Sequence, residues 1–144
     1  MLESVSTDHC PFDDAQKSRG LQDFSLVPNG LPAIQHRLTK LWDEGVVAGH
    51  LTPSQLVDRT STTIARRFGL EAKGSITPGK DADVVVLDPA APRPYGVATS
   101  LMNVDYDLYE GETASASVRH TYCRGTLVYD RGEIRTAPGH GPGA

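Results

Sequence analysis

The sequence predicts a mixed α/β chain built from three unlike parts. Three observations carry this. Leu2 to Thr7 alternates loosely and is β-branched toward its end. Apolar residues then recur at helical spacing between Leu31 and Trp42. From Gly74 the period becomes that of strands, with Val84-Val85-Val86-Leu87 as its plainest run.

Each element follows in order. Leu2 to Thr7 reads as a short strand that stops at Asp8. His9 to Asn29 is rich in turn residues and poor in apolar anchors, so it reads as a loop. A loop of that length is uncommon without a function. Leu31, Ile34, Leu38, Leu41 and Trp42 share one helical face, which predicts that this face is buried and that His36 lies in solvent. Thr52-Pro53-Ser54-Gln55 is a helix start, with Thr as the cap, Pro at the first helical position and Gln at the third. Thr60 to Thr63 interrupts the pattern, and Ile64 to Phe68 adds a short helix closed by Gly69. Ser75 to Thr77 and Asp83 to Leu87 read as strands, the second with both faces buried. Ser117 to Cys123 and Thr126 to Tyr129, joined at Arg124-Gly125, read as a hairpin, with a second turn at Asp130-Arg131-Gly132. Thr136 to Ala144 reads as a disordered Gly/Pro tail. The lone first strand has no evident partner of its own kind, which hints that part of the structure lies elsewhere.

Composition narrows the classes. The 144 residues carry a formal charge of −4, with 38% apolar and 6% aromatic residues. No run of Lys and Arg suggests a nucleic-acid or membrane surface. No apolar stretch approaches the ~20 residues that a membrane helix needs, and no secretory leader is evident at the N-terminus. Cys10 and Cys123 are far apart and read as free thiols, which fits a cytoplasmic setting.

Candidate chemistry centres on Asp8-His9-Cys10-Pro11. An aspartate at a strand end before a long loop suits a metal ligand or general base, because barrel enzymes place catalytic groups at the C-terminal ends of strands. Capping of a turn is the commoner use of such a residue. The five histidines form no His-x-His pair, and no Cys-x-x-Cys is present. The residues around Asp8 therefore supply no obvious three-ligand zinc site. Gly74 to Lys80 lacks the phosphate-loop pattern, since Asp81 follows the lysine.

Several motifs carry a resemblance in a fixed order along the chain. They are Ser6-Thr7-Asp8-His9-Cys10-Pro11-Phe12, Val27-Pro28-Asn29-Gly30-Leu31-Pro32, Thr60-Ser61-Thr62, Phe68-Gly69-Leu70, Lys73 to Ile76, Asp81-Ala82-Asp83, Met102 to Tyr106 and Tyr109-Glu110-Gly111. Together they resemble the dihydropyrimidinase/D-hydantoinase family of metal-dependent amidohydrolases.

The resemblance implies a fold: the C-terminal part of a (β/α)8 barrel plus part of a small β-sandwich. Residues 1–72 would be the last barrel strand, an active-site loop and outer helices; residues 73–135 a share of the sandwich; residues 136–144 the tail. It also implies hydrolysis of a cyclic amide at a centre of two divalent ions, usually zinc. Asp8 matches the family's aspartate, a metal ligand and proton carrier. Asn29 matches the position whose main chain binds the ring amide. His9 and Cys10 match the motif as supporting residues. The family's other metal ligands have no counterpart in these residues, so the chain alone is expected to hold no catalytic zinc and to be inactive. A tetramer of like chains, or an upstream partner chain, is the implied assembly. The competing expectations are a non-enzymatic interaction or oligomerisation remnant of the same family, and another cyclic amidohydrolase of allantoinase or dihydroorotase type.

Overall fold

A computed structural model of the chain describes residues 3–140. Its opening segment corrects the first expectation. Leu2 lies outside the described residues, and residues 3–8 form no strand. The first pairing is a single parallel bridge between His9 and Leu31. A strand exists through its ladder of hydrogen bonds, and no neighbouring strand among the described residues supplies one here.

The expected long loop contains local order. A one-turn helix, α1 (Asp14–Lys17), is followed by 3-10 turns at Ser18–Gly20 and Phe24–Leu26. The backbone N–H of Asp13 donates to the Gln16 side-chain carbonyl at 2.8 Å, closing the start of α1.

The helix after Pro32 forms, but the wrong face was expected inside. It comprises α2 (Arg37–Leu41) and a wider π-helical continuation, Trp42–Val47. Leu31 and Ile34 are 50% and 53% exposed, whereas His36 and Thr39 are buried. The polar side faces inward because partners await it there: Asp107 for His36 and the Tyr95 hydroxyl for Thr39. A polar group can be buried at little cost when it is hydrogen-bonded.

The second helical stretch starts as the sequence predicts. The Gln55 N–H donates to the Thr52 hydroxyl oxygen at 3.2 Å, and the Thr52 N–H donates to the Gln55 side chain at 2.9 Å. This caps α3 (Pro53–Val57), which runs through a π turn, Asp58–Thr62, into α4 (Thr63–Arg67). The threonine-rich segment thus widens the helix rather than ending it. The Thr60 hydroxyl donates back to the Leu56 carbonyl at 2.8 Å, a bond that competes with the helix ladder. Gly69, at φ +66°, ends α4.

The β part is an antiparallel sheet of β1 (Val84–Asp88), β4 (Ser117–Cys123), β5 (Thr126–Asp130) and β6 (Glu133–Ile134), in spatial order β1-β4-β5-β6. A smaller pair, β2 (Arg93–Pro94) with β3 (Thr113–Ala114), lies in the connection between β1 and β4. The hairpin turn sits where expected. Arg124 and Gly125 both have positive φ, at 47° and 83°, as a two-residue turn with the right twist requires. Ser75 to Thr77 is not a strand. Val85 and Val86 remain 49% and 38% exposed, so β1 is not buried on both faces. Antiparallel sheets tolerate one open face. Thr136 to His140 includes a turn in which the His140 N–H reaches the Ala137 carbonyl; residues 141–144, also part of the expected tail, lie outside the described residues. Among the described residues, no helix is long and apolar enough to cross a membrane.

The apolar core is small: Leu56, Ala65, Tyr95, Ala114 and Ala116 are its buried members. Against it stand Phe24, Phe68 and Ile76, all more than three-quarters exposed.

Candidate functional site

The segments that hold Asp8 and Asn29 meet in a close backbone approach at His9, Cys10, Gly30 and Leu31. The Cys10 N–H donates to the Leu31 carbonyl at 3.4 Å, and His9 forms its bridge with Leu31. Gly30 makes the approach possible. It adopts φ +128°, and a Cβ there would stand 2.4 Å from the Cys10 Cβ. Only glycine fits that gap. The segments Asp8–Cys10 and Asn29–Leu31 therefore run side by side.

Asp8 is exposed and holds φ +45°. Aspartate tolerates the left-handed region better than most residues. His9 is partly buried and already engaged. Its Nδ1 accepts from the backbone N–H groups of Ala33 at 3.2 Å and Ile34 at 3.4 Å. The neutral ring then carries its proton on Nε2. His9 thus ties the Asp8 segment to the turn that leads into α2. Cys10 is a free thiol, exposed, with its backbone against Gly30.

The Asn29 turn is held from behind by a residue that the sequence did not single out. The Lys17 ammonium donates to the carbonyls of Pro28 and Gly30, each at 2.6 Å. It also lies 5.4 Å from the centre of the Phe12 ring. The only sequence signal was a cation, one of two with Arg19, in a loop that also holds Asp13, Asp14 and Asp23. Asp14, at the start of α1, is tied to a distant segment: its N–H donates to Asp105 Oδ1 at 2.9 Å. Next to it, the Tyr106 hydroxyl is buried without a hydrogen-bond partner among the described residues. Burial first, then the nearby carboxylates of Asp105 and Asp14, raises the Tyr106 hydroxyl above the usual phenol range.

The same segment enters a buried polar box. His36 Nε2 lies 2.7 Å from Asp107 Oδ2, with both side chains almost wholly buried. A carboxylate only accepts, so the imidazole donates from Nε2. The other Asp107 oxygen accepts from the Tyr109 N–H at 2.9 Å. The Tyr95 and Tyr109 rings meet the His36 ring edge-on at 4.8 and 5.7 Å. Lys40 covers the Tyr109 ring at 4.2 Å and pairs with Glu112 at 2.5 Å. Burial opposes the Lys40 charge, but the Glu112 carboxylate outweighs it and holds the amine above its ordinary range. His36, expected in solvent, is thus the centre of the most complete polar network described. Sequence reasoning missed it because its partner stands 71 positions away.

An open cavity of about 360 Å³ lies between this box and the sheet, lined mainly by apolar groups such as Leu101, Ala116, Val118 and Val128. Neither Asp8, His9, Cys10 nor Asn29 lines it. Among the described residues, no three His, Cys, Asp or Glu side chains gather to hold a metal ion. Asp8 alone does not fit a metal centre, which needs about three protein ligands.

The edge offers one exposed carboxylate at Asp8, and comparison with known proteins gives the class of the chain. The amidohydrolase family model matches residues 4–128, and the chain belongs to that family. Within it, the likeness is to hydantoinases and dihydropyrimidinases. The D-hydantoinase of Streptomyces coelicolor is 43% identical over 142 residues, covering 97% of this chain and 30% of that protein. The human dihydropyrimidinase-related protein 5 is 38% identical over 141 residues, covering 97% of this chain and 25% of that protein. The solved D-hydantoinase (dihydropyrimidinase) of a Thermus species superimposes with a TM-score of 0.92 at 39% identity, covering 97% of this chain and 31% of that one. The chain therefore has the mixed helix and strand fold of part of an amidohydrolase. It spans about 30% of the length of the D-hydantoinases it matches. The family is one of metal-dependent hydrolases.

Proposed function

We propose that the chain is the C-terminal share of a hydantoinase- or dihydropyrimidinase-type hydrolase that opens cyclic amides. The observation that carries this is the bridge between the segment that holds Asp8 and the segment that holds Asn29, made through His9, Cys10, Gly30 and Leu31, in a chain of this family. Residues 1–72 would be the barrel share and residues 73–135 the sandwich share. Zinc is the metal we assign to the complete assembly, with its ligands other than Asp8 supplied by a companion segment. The exposure of Phe24, Phe68 and Ile76, each more than three-quarters open, is consistent with such a companion. A homo-oligomer in the cytoplasm is the setting proposed for the assembled enzyme.

The chemistry assigned to this chain's own residues is limited. Asn29 presents an N–H and a C=O that make no hydrogen bond among the described residues. A cyclic amide edge offers one acceptor and one donor in a plane, so one peptide strand can grip it. In the hydrolysis, water oxygen bonds to the ring carbonyl carbon and the ring C–N bond breaks. A proton leaves the attacking water and reaches the departing nitrogen. Asp8 is the carboxylate placed to carry it.

The test is assembly. The full chain is co-expressed with a Streptomyces coelicolor D-hydantoinase cut before its matching 30%, and the purified complex is supplied with zinc. Ring opening of hydantoin or dihydrouracil by the complex, and by neither part alone, is the expected result. A well-formed, zinc-loaded complex that opens neither ring would overturn the proposal.

A further inference from the structure

We infer that Lys17 is the positioning residue of the Asn29 edge: it holds the carbonyls of the two residues that flank Asn29 and strengthens the Asn29 N–H as a donor. This rests on the reading of Asn29 given above. Lys17 holds the carbonyls of Pro28 and Gly30, the two residues that flank Asn29, each at 2.6 Å. One ammonium therefore pins the Pro28–Asn29 and Gly30–Leu31 peptide planes, and the Asn29–Gly30 peptide is held between them. The Pro28 carbonyl and the Asn29 N–H belong to the same peptide group. A cation on that oxygen draws electron density from the nitrogen, so hydrogen bonds through one peptide reinforce each other. Charge-assisted bonds of this kind are about twice as strong as neutral ones.

The clamp also selects which atoms remain. It occupies the carbonyls before and after Asn29, an exposed residue whose own carbonyl makes no hydrogen bond among the described residues. What faces outward is one strengthened donor and one free acceptor, the complement of a cyclic amide or imide edge. The ammonium is kept in place by Phe12, whose ring lies 5.4 Å away, and by α1, whose first residue is tied to Asp105. Gly30 keeps the turn in register with Asp8 through its contact with Cys10. A lysine in a polar loop without these contacts would be a solvated surface charge.

Two measurements test the inference. The first uses the full chain labelled with nitrogen-15 and compares Lys17→Met with the unaltered protein. The amide nitrogen resonances of Asn29 and Leu31, the two that share peptide groups with the clamped carbonyls, should move upfield together, and the Cys10 amide should exchange faster. Unmoved resonances overturn the clamp. The second uses the assembled complex described above. Lys17→Met should raise KM for hydantoin roughly five- to tenfold with kcat nearly unchanged, and Lys17→Arg, which keeps two donors and the charge, should recover most of the loss. A fall in kcat with unchanged KM, or no rescue by arginine, overturns the positioning role. An unaltered complex that opens no ring while the resonances still shift shows that the Asn29 reading has failed, and the role in substrate positioning falls with it, although the clamp is real.

Discussion

The buried box around His36 and the open edge around Asp8 differ in what they ask of the rest of the molecule. Within the box, Asp107 meets His36 and the Tyr109 N–H, Tyr95 meets Thr39, and Lys40 meets Glu112. The residues come from His36 and the α2 helix that follows it and from the stretch 95–112, all within this chain. Among the described residues, 3–8 have no strand partner, Asp8 is exposed, and the Asn29 N–H and C=O make no hydrogen bond. The box is closed by residues of this chain alone. The edge is assembled only as far as one chain can take it. Local stability and candidate chemistry thus sit in different places, joined by the segment Asp105–Asp107, which touches Asp14 at one end and His36 at the other.

The strongest way to break this contrast is to attack the box. Asp107→Ala strands the His36 imidazole in a buried site, and removing one member of such a pair costs about 3–5 kcal/mol. Urea unfolding of the variant should show that loss, with the amide signals of the Asp8 edge disturbed only as far as the connecting segment reaches. A loss below 1 kcal/mol would mean the box is not what holds the fold. Gly30→Ala should come next. It places a methyl against Cys10 at a positive φ, a strain of about 1–3 kcal/mol. Its signature is faster exchange of the Cys10 amide with the Tyr109 amide unchanged, which separates the two regions.

How much of this could be read from the sequence follows the reach of each interaction. The Thr52–Gln55 cap and the Arg124-Gly125 hairpin are local, made by residues within a few positions, and both are present. Asp8 and Asn29 were singled out because the motifs around them follow a family's order, and the family itself is the one whose model matches residues 4–128. His36 was misplaced because helical periodicity assigns polar residues to solvent, and nothing nearby in sequence announces Asp107. The opening strand failed for the opposite reason: its residues suit a strand, but no ladder partner lies among the described residues. Lys17 was passed over because two carbonyl contacts across a loop leave no periodic trace.

Weaker effects sharpen the picture at the surface. The Lys73 ammonium, hydrogen-bonded to Asp83, and the Arg124 N–H hold the Asp83 carboxyl below the usual carboxylate range. A folded value below the unfolded one, near 3.9, means the contribution is present above that pH and is lost as pH falls through the lower folded value. Asp83→Asn should therefore flatten the acid limb of the stability curve slightly, and added salt should shrink the difference between the two proteins. This pair joins Asp83, beside β1, to the connection after α4, so neither the box nor the edge should respond. Smallest of all is the effect of Asp8→Asn on folding. Asparagine accepts the same positive φ, and the site is exposed, so stability should stay within about 0.5 kcal/mol. A larger loss would make Asp8 a structural cap.

That same substitution gives the most direct measurement of the central claim, that this chain contributes a working carboxylate to a hydrolytic site completed by a companion. The steady-state rate of hydantoin opening is measured for the zinc-loaded complex with Asp8 and with Asp8→Asn, at equal complex concentration. The account predicts ring opening in the first and a fall of about 10²–10⁴-fold in kcat in the second, with the complex equally stable. Equal rates in the two complexes would contradict it.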